Sequence, residues 1–148
     1  MNKKYFTLIF FILFCLFSAF GQSSLVNKYL EAANTEYSIR ENEKAYNYIN
    51  IVLEQYTEND VPDNVLLLAE AIYFDYLSDV KASGNTEAFQ DIQQNLISYE
   101  YLTSDRLNRQ LNNVTNFFLE KAKAEEEARA QENAEKAAIA AAKTSAEV

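Results

Sequence analysis

The chain has 148 residues, 22 acids against 13 bases, one cysteine and no histidine. These counts exclude histidine-based nucleophile systems and most zinc or copper sites, and the net charge of −9 argues against nucleic acid as a partner. A chain of this length supports one small domain plus an extension.

The first segment is a secretory signal by its pattern. Lys3 and Lys4 precede an apolar run from Tyr5 to Phe17, followed by Ser18-Ala19-Phe20-Gly21. Small residues stand at −3 and −1 of a cut between Gly21 and Gln22, which is the expected cleavage site. The run is shorter than the roughly 20 residues a spanning helix needs, so a retained anchor is the alternative rather than the expectation. Cys15 follows Phe14, where a lipid-attachment signal needs a small residue, and it reads as part of the apolar run. Residues 1–21 carry two lysines and no acid, so their removal takes the net charge from −9 to −11 and leaves no cysteine. The expected location is the bacterial periplasm or the exterior. Membrane contact is expected only through the signal segment, if it is kept.

Residues 22–119 read as an all-α domain. Only Gly84 and Pro62 serve as turn formers after residue 21, too few for a set of tight β turns. Leu25, Tyr29, Ala33 and Tyr37 recur every four residues, and Ala45, Tyr48, Ile49, Val52, Leu53 and Tyr56 follow a helical stripe. A break at Arg40 to Glu43 separates the two helices. After the polar loop Glu58 to Asn64, Asp63 or Asn64 is expected to cap a helix over 65–82. That helix is apolar on most sides and belongs at the centre of the domain. Gly84 suits its left-handed end. Asn85 or Thr86 opens a fourth helix with the stripe Ala88, Phe89, Ile92, Leu96, Tyr99. Thr103 or Ser104 opens a fifth with Leu107, Leu111, Val114, Phe118.

Residues 120–148 differ in kind. Ala, Glu and Lys dominate, no aromatic occurs, and Ile139 and Val148 are the only large aliphatics. The acid-before-base pairs Glu125/Arg129 and Glu132/Lys136 favour a helix, yet no apolar stripe exists to pack it. A long exposed C-terminal helix, serving as extension or linker, is expected.

The pairs of large and small residues resemble tetratricopeptide-type (TPR-like) helical hairpins. Tyr29 with Ala33 fits the first helix of such a repeat, and Ala45 with Ile49 fits the second. Ala88 with Ile92 fits a second copy, although Tyr76 stands where its first helix needs a small residue and no proline closes either copy. The resemblance spans about residues 25–100. It implies antiparallel helical hairpins, about five helices in all, and a groove that binds a peptide or a partner helix.

The chemistry-bearing residues are few. No phosphate-cradling glycine loop and no calcium loop is present. Asp75 with Asp79, or Glu70 with Glu87, are the acid pairs on which carboxylate-dependent hydrolysis of envelope polymers would have to rest. Nine tyrosines follow residue 21. Tyr29, Tyr48 and Tyr56 lie on the apolar stripes; Tyr46, Tyr73 and Tyr101 lie off them and are the candidate partner-binding residues. The expected function is non-enzymatic: a protein–protein interaction or scaffold module of the periplasm or cell envelope, needing no cofactor and binding a protein or peptide of basic character. A holdase-type chaperone and a carboxylate-dependent hydrolase are the alternatives.

Overall fold

The computed structural model describes residues 24–146, with side chains to residue 142. The expected signal segment and the Gly21–Gln22 cleavage site lie outside the described residues. The described chain is all-α: α1 (residues 24–38), α2 (Asn42–Leu53), α3 (Asp63–Ser83), α4 (Thr86–Ser98) and α5 (Asp105–Ala146). Among these helices none is long and apolar enough to cross a membrane.

α3 is the hub, packing against α2, α4 and α5. Its buried residues Val65, Ala69, Ile72, Tyr73, Tyr76, Leu77 and Val80 form one broad face, flanked by the half-buried Leu66, Leu68 and Phe74. Burying that face stabilises the fold by about 1.5–3 kcal/mol for each large aliphatic side chain removed from water. Ala33 of α1 and Ala45 of α2 are both fully buried, as small residues must be where neighbouring helices come close. α1 is tied to the hub where Tyr37 donates its hydroxyl to Asp75 at 2.8 Å, and the start of α2 where Asn42 donates to Asp79 at 2.7 Å.

Two helix ends close in the same way. At Gly84 (φ 66°) the Gly84 N–H donates to Lys81 O and the Asn85 N–H to Val80 O. At Arg40 (φ 66°) the Arg40 N–H donates to Tyr37 O and the Glu41 N–H to Glu36 O. Both are Schellman closures around a left-handed residue, the second built without glycine. Asn85 caps α4 by accepting from the Ala88 N–H, and Ser104 Oγ accepts from the Leu107 N–H at the start of α5. The start of α3 differs from expectation. The helix begins at Asp63, after an extended Pro62, and no side chain caps it. The Pro62 carbonyl takes the Val65 and Leu66 N–H groups instead, and Asp63 becomes a first-turn acid favoured by the helix dipole.

α5 joins the domain to the expected extension without a break. Leu107, Val114 and Phe118 are buried, and Phe118 stacks on Phe89 at 4.6 Å. Lys121 is the last tie: its ammonium donates to Gly84 O at 3.0 Å and lies 5.9 Å from the Phe118 ring centre. From residue 122 to residue 142 every position is exposed, an arm about 30 Å long at 1.5 Å per residue.

Candidate functional site

Tyr46 and Tyr73 are not surface residues. Tyr46 is 2% exposed and Tyr73 0%. Their rings meet edge-on at 5.0 Å, and Tyr46 also lies 4.8 Å from Tyr76. The Tyr46 hydroxyl donates to Asp91 at 2.8 Å and accepts from Asn95 at 2.6 Å; the Tyr73 hydroxyl donates to Asn50 at 2.5 Å. Burial foremost pushes both phenols well above their ordinary range. The expectation failed because both rings lie on the buried faces: at about 100° per residue Tyr46 falls on the side of α2 that carries Asn42, Ile49 and Leu53, and Tyr73 on the side of α3 that carries Ala69, Tyr76, Leu77 and Val80. Tyr48, on the stripe, is only half-buried and packs on Tyr29 at 6.1 Å. Tyr46 and Tyr73 therefore join α2, α3 and α4, and neither ring is available to a partner.

The acid pairs are likewise parted or occupied. Asp75 accepts from Tyr37 and lies 3.8 Å from Arg40, and Asp79 accepts from Asn42. Glu70 accepts from the Ser104 N–H at 3.1 Å. Glu87 follows the far end of α3, about 20 Å from Glu70 along the helix axis. Among the described residues no group of three or more acids is arranged to hold a metal ion.

Tyr101 has a different setting. It is half-buried in the α4–α5 connection and lines a cavity of about 340 Å³ between the C-terminal ends of α2 and α4. Tyr56 and Tyr99 line the same cavity, with Glu54, Glu58 and Glu100 around them. Local structure fixes each wall. The Tyr99 hydroxyl donates to Asn50 O at 3.4 Å, and its ring lies 6.0 Å from that of Tyr101. The Leu102 N–H closes a turn onto Tyr99 O at 2.9 Å. Opposite, Asp60 accepts from the Thr57 N–H at 2.5 Å and its hydroxyl at 3.0 Å, which shapes the loop bearing Glu58.

A second cavity of about 370 Å³ adjoins the first, sharing Ile97 and Glu100. Leu96, Leu102 and Leu111 make its floor apolar. Ile97 stands on the rim between the two and is 71% exposed. The result is a two-part groove, acidic and aromatic at one end and apolar at the other. Sequence reasoning reached Tyr101 but assigned Tyr56 and Tyr99 to the core, and it passed over Glu54, Glu58 and Glu100. The missed signal was positional: all six lie within a few residues of a helix C-terminus.

The electrostatics of this end are one-sided. No lysine or arginine lines either cavity. Neither α2 nor α4 carries a basic residue in its last turn, so the negative ends of both helix dipoles are uncompensated. Among the described residues Glu54, Glu58 and Glu100 form no ion pair. Burial, then Glu54, then the neighbouring Tyr101 push the Tyr99 phenol up to about 12. Burial and then Asp60 raise that of Tyr101. Comparison with protein-family models, curated proteins and solved structures finds no match.

Proposed function

We propose that this chain is an exported, non-enzymatic interaction module of the bacterial periplasm or cell envelope, which docks a partner protein on the groove at the C-terminal ends of α2 and α4. The observation that carries the reading is that groove: two adjoining cavities joined at the exposed Ile97. Apolar floor beside a polar, tyrosine-lined rim is the surface chemistry of protein recognition. Asp75 and Asp79, one of the acid pairs considered for the hydrolytic alternative, are taken up in hydrogen bonds between helices. The arm offers one large apolar residue, the half-exposed Ile139, among its exposed positions, a poor lure for unfolded chains.

Site-specific photocrosslinking tests the reading. A benzophenone side chain replaces Ile97 in the exported full chain, and Leu67, equally exposed on α3, serves as control. The expected result is one discrete adduct from position 97 and none from position 67. A smear of many adducts from both positions would mean a holdase, and no adduct from position 97 would remove the groove from the account.

A further inference from the structure

We infer that the acidic end of the groove is a receptor for a single cationic side chain, arginine or lysine, of a partner whose adjoining apolar residue sits on Ile97 and Leu111; this rests on the interaction reading above. A cavity of about 340 Å³ has room for a long side chain. Three tyrosine rings, Tyr56, Tyr99 and Tyr101, wall it, and the faces of such rings attract cations. Glu54, Glu58 and Glu100 stand at its edge with no basic neighbour, and two helix C-termini add their partial negative charge at the same place. Among the described residues no ion pair relieves these acids.

Two other clefts among the described residues lack this combination. The cavity between α1 and α3, about 390 Å³, is lined by asparagines, leucines and one glutamate and has no aromatic wall. The smaller one beside Phe74 already holds a cation of this chain, with Arg106 stacked 4.0 Å from that ring centre. That internal pair shows the same recognition chemistry satisfied within the domain, whereas at the groove it is left open.

The test is a titration of the isotope-labelled chain, residues 22–148, followed by amide chemical shifts. The probes are acetyl-arginyl-leucinamide and acetyl-citrullyl-leucinamide, alike in shape and differing in charge. The arginyl probe should move the amides of residues 54–58 and 97–101 saturably, and the citrullyl probe should bind about tenfold more weakly. The double variant Glu54→Gln/Glu100→Gln should lose about tenfold in affinity for the arginyl probe. Glu125→Gln/Glu126→Gln, which removes the same charge from the arm, should lose none beyond twofold. Equal binding of the two probes, shifts elsewhere only, or equal losses from both double variants would overturn the inference. A discrete crosslink from position 97 combined with such a failure would leave the docking groove standing and discard only the cation receptor.

Discussion

Arg40 and Gly84 occupy the same left-handed position in two Schellman closures, with the same φ of 66°. An L side chain pays about 1 kcal/mol or more for that conformation, and glycine does not. The compensation available to Arg40 is small: its ion pair with Asp75 spans 3.8 Å and the arginine side chain is 81% exposed. Arg40→Gly should therefore stabilise the domain by about 0.5–1 kcal/mol, read as a higher urea midpoint with unchanged slope. A lower midpoint would mean that the Arg40–Asp75 contact matters more than the backbone. Tyr99 yields a pH prediction. Its folded pKa of about 12 lies above the ordinary 10, so the phenol is favoured neutral in the fold. The stability tied to it is complete below pH 10 and is lost as pH rises through about 12. Tyrosinate absorbance of the native chain should lag behind that of the urea-unfolded chain above pH 10; coincident curves would contradict the buried setting of these phenols.

At the scale of elements, α3 and α5 divide the labour. α3 packs against α2, α4 and α5, whereas α5 belongs to the domain only as far as Lys121. The docked half supplies Leu107, Val114 and Phe118, and the outer half supplies no buried residue up to 142. Ending the chain after Lys123 should leave the melting temperature within about 2 °C of the intact protein, since substitutions outside buried contacts shift stability by little. Ending it after Asn113, which removes Val114 and Phe118, should unfold the domain. Circular dichroism on heating distinguishes the two, and a large loss of melting temperature from the first truncation would show that the arm packs on something. This division was legible in the sequence because composition changes at Phe118-Leu119. The helices were legible too, from Ala45-Ile49-Val52 and from Phe89-Ile92, where apolar spacing records a single buried face. The roles of Tyr46 and Tyr73 were not. Spacing alone puts both rings on the buried faces of α2 and α3, but nothing local announces the partners Asn50, Asp91 and Asn95 that take up their hydroxyls. The groove was illegible for a related reason. Glu54 and Tyr56 are more than 40 residues from Glu100 and Tyr101 in sequence, and nothing local announces that two helix ends meet.

Seen whole, the molecule is a small helical core bearing two unlike features: a groove at one end and an arm that leaves beside Gly84. The two lie apart, since Gly84 ends α3 and precedes α4, whereas the groove gathers the far end of α4. An approaching partner at the groove thus has no reason to meet the arm, and each can be occupied alone. The continuity of α5 has a mechanical consequence. One uninterrupted helix couples distance to azimuth: every residue advances the tip by 1.5 Å and turns it by about 100°. A side chain such as that of Glu132 therefore points in a direction fixed by the seating of Phe118 and Lys121. Deleting two residues between Lys121 and Glu132 would swing that direction through roughly 200°, while deleting seven would shorten the reach by about 10 Å and nearly restore the bearing. The arm behaves as an indexed shaft, and its phase is set in the core.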